Sequence, residues 1–255
     1  MYTALRTDSL TYTSTALPAE FDGLRIVQLS DLHNREFGKN NQRLYAAVKQ
    51  AAPDLIFLTG DLVDEYAEAP IPYAKAVGKA LSAIAPTYYV TGNHEWWSGE
   101  AERICDHMEA LGVHVLRGDA MTMELNGEKI TFCGIDDPDS GESGQQLSQL
   151  EKCDKGDTFT ILLAHRPEEI TSYLDGAYDL ILSGHAHGGQ WRIPGILNGL
   201  YAPNQGLFPS YAGGQYFFDG TVFLVSRGLA RESTRIPRIF NRPEVVVADL
   251  VPKSR

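Results

Sequence analysis

Cysteine is scarce. The 255 residues contain three, Cys105, Cys133 and Cys153, widely spaced and with no C-x-x-C pair. That excludes a disulfide scaffold and thiolate zinc, and reads as buried thiols in a reducing compartment. Positive charge is also in short supply, with 22 Lys and Arg against 33 Asp and Glu, a net of −11. Such a balance excludes a broad basic surface for duplex nucleic acid, though not a local pocket for an anion. No run approaches the ~18 apolar residues of a membrane-spanning helix. Met1–Leu10 lacks the apolar core of a secretion signal. Cytoplasm is the expected compartment, and no motif supports peripheral membrane contact. Repeats, linkers and low-complexity tracts are absent too, so residues 1–255 read as one domain with ample chain for a large core.

Short apolar runs recur in their place. Leu24–Leu29, Asp54–Leu58, Thr87–Val90 and Val113–Leu116 read as buried strands, separated by helical spacing over Asn41–Ala51, Pro72–Ile84 and Gly99–Leu111. This β-α-β rhythm predicts a largely parallel sheet with helices on its faces. Met121–Leu125 and Lys129–Cys133 flank Asn126-Gly127, a strong hairpin signal. Further strands are expected at Phe159–Ala164, Leu180–Ser183, Tyr216–Phe218, Thr221–Val225 and Glu244–Leu250, with a helix over Glu168–Leu174. Together these predict an α/β fold with two sheets packed face to face and helices outside.

The polar residues at the end of each run carry the chemistry. Ser30-Asp31-Leu32-His33 closes the first, Thr59-Gly60-Asp61-Leu62-Val63-Asp64 the second and Thr91-Gly92-Asn93-His94-Glu95 the third. His165 comes directly after Phe159–Ala164, and Gly184-His185-Ala186-His187 after Leu180–Ser183. Any one of these is an ordinary turn or helix cap. Five strand ends carrying Asp, His or Asn converge if the strands lie side by side, because ligands bind beyond the carboxyl ends of such sheets. Carboxylates, an amide and imidazoles suit divalent Mn, Zn, Fe, Ni or Co, and there are more ligands than one ion takes. Two ions roughly 3.5–4 Å apart can clamp a phosphoryl group and activate a bridging water.

The series Asp31-x-His33, Gly60-Asp61-x-x-Asp64, Gly92-Asn93-His94-Glu95, His165 and Gly184-His185-x-His187 resembles the calcineurin-like metallophosphoesterases, from about Arg25 to Leu250. The resemblance implies a four-layer αββα sandwich of two mixed sheets. It assigns Asp31, His33, Asp61 and His187 to one metal and Asp61, Asn93, His165 and His185 to a second, with Asp61 bridging. Two divalent ions against two carboxylates and a bridging hydroxide would leave about +1, attractive to a phosphodiester. His94, left over from that set, is expected to stabilise charge or protonate the leaving oxygen, with Glu95 or Asp64 orienting its other nitrogen.

Gly188-Gly189-Gln190 and Phe240-Asn241-Arg242-Pro243-Glu244 look like the YaeI/YkuE-like bacterial branch. That branch is associated with phosphodiester or pyrophosphate substrates, including UDP-2,3-diacylglucosamine. Many of its members carry an N-terminal membrane anchor, for which Met1–Leu10 offers no counterpart. Arg166 departs from the usual small or amide residue and is expected to add a phosphate contact. Trp96 and Trp97 are expected to line the pocket. Eight aromatics between Trp191 and Phe223 form either a substrate wall or a self-packed loop, and Arg227, Arg231, Arg235 and Arg238 read as solvated or structural. The expected activity is hydrolysis of a small phosphoester, most simply a diester. Phosphomonoester or phosphoprotein hydrolysis, UDP-2,3-diacylglucosamine pyrophosphatase-like hydrolysis, a metal-dependent nuclease and an inert binding module are the alternatives. Native metals and oligomeric state are open at this level.

Overall fold

The computed structural model describes residues 5–14, 17–150, 158–230 and 237–252. Cys153, Arg231 and Arg235 lie outside them. In chain order the strands are β1 (Arg6–Ser14), β2 (Arg25–Leu29), β3 (Leu55–Thr59), β4 (Thr87–Val90), β5 (His114–Val115), β6 (Ala120–Leu125), β7 (Glu128–Gly134), β8 (Phe159–Leu163), β9 (Leu180–Ser183), β10 (Tyr201–Ala202), β11 (Gly206–Leu207), β12 (Gly214–Phe217), β13 (Val222–Val225) and β14 (Glu244–Pro252). The helices are α1 (Gln42–Ala51), α2 (Pro70–Ser82), α3 (Asn93–Trp97), α4 (Ala101–Ala110), α5 (Ser143–Leu150) and α6 (Ile170–Tyr173).

Two six-stranded sheets form, in the orders β1-β14-β2-β3-β4-β5 and β12-β13-β9-β8-β7-β6. β2, β3, β4 and β5 run parallel, as do β7, β8, β9 and β13, while β14 is antiparallel to β2 and β6 to β7. Strands buried on both faces explain the continuous apolar runs. The inward faces meet in one core, where Ile26, Phe57, Tyr88 and Val90 of the first sheet pack with Phe132, Ile161, Leu163 and Leu182 of the second. Outside the first sheet, Val27, Leu58 and Tyr89 bury against Leu44, Val77 and Met108 of α1, α2 and α4. Beyond the second, Leu162, Ile181 and Phe223 meet Leu147, Leu150 and Tyr173 of α5 and α6. The four-layer sandwich is the expected one. Gln28 crosses its middle, donating to the Thr59 hydroxyl and to the Ser183 carbonyl at 2.9 Å.

Local differences have local causes. The Asn126-Gly127 hairpin has positive φ at both residues (57° and 89°), the geometry a two-residue turn with matching twist demands. α2 begins at Pro70, two residues before the expected start, because proline at the first helical positions needs no N–H partner. The segment expected as one helix over Glu168–Leu174 is a 3₁₀ turn, Pro167–Glu169, running into the short α6. β1 and α5 have no counterpart among the expected elements. β1 pairs with β14 as an edge strand of alternating polar residues that carries little apolar signal. Cys105 and Cys133 are buried. No helix among the described residues is long and apolar enough to cross a membrane.

Candidate metal centre

Four strands each end two residues before a polar side chain: β2 before Asp31, β3 before Asp61, β8 before His165 and β9 before His185. Asn93 comes three residues after β4 and opens α3. Because β2-β3-β4 and β9-β8 are central neighbours in facing sheets, these ends share one crevice. The chain must turn sharply there. Asp31, His33, Asp61, His185 and His187 all adopt left-handed backbones, with φ between 45° and 62°. Such conformations are uncommon for non-glycine residues and cluster where side chains are aimed for function. The motif glycines make room: a Cβ at Gly92 would overlap the Asp61 carboxylate and N–H, and one at Gly184 would overlap the Ser30 hydroxyl.

The side chains assemble in two groups that share Asp61. Ligand atoms of Asp31, His33, Asp61 and His187 lie within 4.8 Å of one another, and so do those of Asp61, His165 and His185. Asp61 Oδ2 is 3.1 Å from His165 Nε2 and 3.6 Å from His33 Nε2. All six are buried. Asp31 Oδ2, Asp61 Oδ2, Asn93 Oδ1, His33 Nε2, His165 Nε2 and His185 Nδ1 have no hydrogen-bond partner. So many orphaned lone pairs facing one space are costly unless a cation takes them, and the N/O donor set fits divalent ions.

Neighbouring groups hold the ligands in the needed forms. His165 Nδ1 is 2.7 Å from the Thr59 carbonyl, which keeps a proton on Nδ1 and aims Nε2 at the crevice, 3.1 Å from Asp61 Oδ2. His185 Nε2 is 2.9 Å from Asn204 Oδ1, so Nε2 donates and Nδ1 faces inward. Burial pushes His33 down to about 4, and burial with the neighbouring His165 and His33 holds His185 and His187 well below the usual histidine range. Burial raises Asp31 to about 6, helped by the Asp61 charge and opposed by His165. Burial works against the Asp61 charge too, but His165, His33 and His94 hold its carboxyl well below the usual range.

His94 belongs to neither group that shares Asp61 but forms a third cluster with His33 and Asp64, their ligand atoms within 4.8 Å of one another, and its partners differ from expectation. The Glu65 N–H lies 3.4 Å from His94 Nδ1 and the Glu65 carboxylate 3.7 Å from it. A donor at Nδ1 puts the ring proton on Nε2. Asp64 instead backs His33, with Oδ2 3.7 Å from Nδ1. Glu95 is occupied elsewhere: Oε2 accepts the N–H of Asp61 at 2.9 Å and of Gly92 at 2.7 Å, and Oε1 that of Val63 at 3.0 Å. Burial, and then the Asp61 charge, raise Glu95 to about 8. Glu95 thus shapes the Asp61 loop and does not orient His94. Glu95→Ala is expected to destabilise the protein by about 3 kcal/mol, since three N–H groups lose a buried acceptor. Thermal and urea unfolding measure this.

Two other expected pocket residues have partners of their own. Arg166 is buried and spends Nε and Nη2 on Asp137 (2.6 and 2.9 Å) and Nη2 also on Asp139 (2.9 Å), leaving Nη1 near His185. Its Nε and Nη2 serve as an ion-paired support beside the ligand His185. Trp96 donates to the Thr91 hydroxyl at 2.9 Å and lies under Arg117. That holds it away from the pocket, whereas Trp97 is exposed with its ring 4.9 Å from His94. Sequence reasoning missed Asn204, Glu65 and Asn241, which donates to the His187 carbonyl at 2.7 Å. Of these, Asn241 alone lies in a motif that the sequence singles out.

Residues 24–189 match the model of the family described as calcineurin-like phosphoesterase. The chain is 30% identical to the metallophosphoesterase YkuE of Bacillus subtilis (strain 168), across 96% of its own length and 85% of that protein. It is 30% identical to YkoQ of the same organism, across 87% and 82%. Among solved structures it resembles the sulfate thiohydrolase SoxB of Thermus thermophilus at a TM-score of 0.55 and 12% identity, covering 92% of this chain and 57% of that longer one. The match spans most of the chain and includes the strand-end Asp, Asn and His residues of the crevice. The chain therefore belongs to the calcineurin-like phosphoesterases, phosphoric ester hydrolases whose Asp/His cluster is here arranged for divalent metal.

Proposed function

We propose that the chain is a phosphodiesterase. Asp31, His33, Asp61 and His187 would hold one divalent ion, and Asp61, Asn93, His165 and His185 a second. Mn, Zn, Fe, Ni and Co all suit these donors. When bound, such a pair supplies Lewis-acid polarisation of the phosphoryl oxygens and a nucleophile at neutral pH. Asp61 anchors both groups, while Thr59 and Asn204 fix the tautomers of His165 and His185. His94 presents Nε2–H toward the phosphoryl group and its leaving oxygen, with Glu65 steadying the far side of the ring. Trp97 forms a wall beside it.

The observation that favours a diester is the state of the nearby guanidinium groups. Arg166 is held by Asp137 and Asp139, and Arg238 is buried against the carbonyls of Arg227, Gly228 and Ala230. Neither is free to balance the second charge of a monoester dianion. A monoanionic diester needs no such partner. Bis-p-nitrophenyl phosphate is therefore expected to be hydrolysed with a kcat/KM at least about tenfold above that of p-nitrophenyl phosphate, a difference of roughly 1.4 kcal/mol. The comparison is run with Mn, Zn or Ni added. A monoester preference overturns the reading.

A further inference from the structure

His33 serves the first ligand group with one ring nitrogen and leaves the other unexplained. Both nitrogens are buried without a hydrogen-bond partner, in a side chain that is 1% exposed. Nε2 faces Asp61 Oδ2 at 3.6 Å, within a group that shares Asp61. Nδ1 faces a different carboxylate, Asp64 Oδ2, at 3.7 Å. His94 stands edge-on to the same ring, with centroids 4.4 Å apart, and completes the cluster of His33, Asp64 and His94.

Spacing shows what fits between them. At 3.7 Å, His33 Nδ1 and Asp64 Oδ2 are too far apart for a hydrogen bond. Two ligands each ~2.1 Å from one tetrahedral ion are themselves roughly 3.4 Å apart. Within the first group, His33 Nε2 and Asp61 Oδ2 are 3.6 Å apart, and His187 Nε2 and Asp31 Oδ1 3.7 Å. The gap at Asp64 thus has the width of the ligand gaps beside it. Asp64 is fixed in that position, since its Oδ1 accepts the Tyr66 N–H at 3.0 Å and its own N–H donates to Asn34 at 2.7 Å. The Glu65 carboxylate, 3.7 Å from His94 Nδ1, adds a second negative charge. Asp64 and Glu65 keep 17% and 16% side-chain exposure, which leaves an ion a way in from solvent.

We propose that His33, Asp64 and His94 form a third divalent-cation site, filled after the two groups that share Asp61 and inhibitory once filled. The proposal rests on the two-ion reading of the crevice, where the first ion takes His33 Nε2. Two imidazoles and a carboxylate are a three-residue set that zinc accepts. Asp64 and Glu65, which neither of the other groups uses, balance the charge of one such ion. With Nε2 on the first ion, Nδ1 must give its proton to solvent before it can bind, so the third ion is the weakest held. Turnover falls when it binds, because His94 becomes a ligand and is lost to the phosphoryl group.

Equilibrium dialysis of the full chain against zinc, with bound metal counted by elemental analysis, tests it. Two ions per chain are expected first, and a third at a free zinc concentration at least about tenfold higher. Asp64→Asn and His94→Ala are each expected to keep the first two ions and to weaken the third by about tenfold or more. In the intact protein, hydrolysis of bis-p-nitrophenyl phosphate should decline over the range in which the third ion binds. Saturation at two ions overturns the proposal, as does a third ion held equally well by both variants, which places it elsewhere on the surface. Fewer than two ions in the intact protein removes the two-ion reading and the third site with it. The counts need no turnover, so loss of the third site and loss of the proposed diesterase activity are told apart.

Discussion

Asp61→Asn is expected to lower kcat/KM toward a phosphodiester by at least about 10³-fold, the equivalent of roughly 4 kcal/mol. It should also leave the purified protein deficient in metal. The substitution is nearly isosteric, and Asn Oδ1 can still accept the His94 N–H that Asp61 Oδ1 now takes at 2.9 Å. The fold is therefore kept. What changes is the other atom. Oδ2 is buried without a partner, 3.1 Å from His165 Nε2 and 3.6 Å from His33 Nε2. An amide nitrogen there would face His165 Nε2 as a donor with no lone pair for a metal, and the negative charge common to both ligand groups would be gone.

Proton release provides a second readout. Burial opposes charge on His165, but Asp61, with Asp31 and Asp137, lifts it to about 10. A histidine raised above its unfolded value of about 6.5 contributes stability that is full below that pH and lost as pH rises through about 10. Loading the native protein with Mn or Zn near pH 7 should then displace a proton from His165. Calorimetry in buffers of different ionisation enthalpy counts it. Asp61→Asn should release less. Elemental analysis showing full metal in the variant, with turnover unchanged, would remove Asp61 from the shared position.

The sandwich was legible because its strands are buried on both faces, so continuous apolar runs such as Leu55–Thr59 stand out without any alternation to decode. The crevice was legible for a related reason: each run stops against Asp, Asn or His, residues with no business beside a core unless something binds them. β1 was hidden, since an edge strand reading Arg-Thr-Asp-Ser-Leu-Thr-Tyr-Thr-Ser advertises only polarity. Roles that depend on a distant partner were hidden more deeply. Glu95 sits in the same tetrapeptide as Asn93 and His94, yet its acceptors serve Asp61, Val63 and Gly92, more than 30 residues upstream in two of three cases. Arg166 comes directly after a ligand, and the carboxylates of Asp137 and Asp139 decide what its charge does. The aromatic segment after Trp191 read equally well as a wall or as a self-packed loop. The fold divides it, with Tyr211 and Phe218 turned in and Phe208 turned out.

His94→Ala separates chemistry from metal binding. The variant is expected to retain its metal and to lose about 10²–10⁴-fold in kcat, the usual worth of a positioned general acid or base. Retention rests on His94 standing outside both groups that share Asp61; the cluster it forms with His33 and Asp64 lacks that shared carboxylate. The bond to Asp61 Oδ1 comes from the His94 backbone N–H, which alanine keeps. The ring is held at several points, edge-on to His33 at 4.4 Å, against Trp97 at 4.9 Å, and with Glu65 N–H at Nδ1. Nε2 is thus the nitrogen available to the reacting phosphoryl group. If it protonates the leaving oxygen, the loss depends on the leaving group. p-Nitrophenolate departs readily without a proton, so the penalty there should fall at the low end of the range. A diester with an alkyl leaving group should suffer the full penalty. Equal penalties for both substrates would assign His94 to charge stabilisation at the non-bridging oxygens instead. Undiminished turnover with either substrate would take His94 out of the reaction.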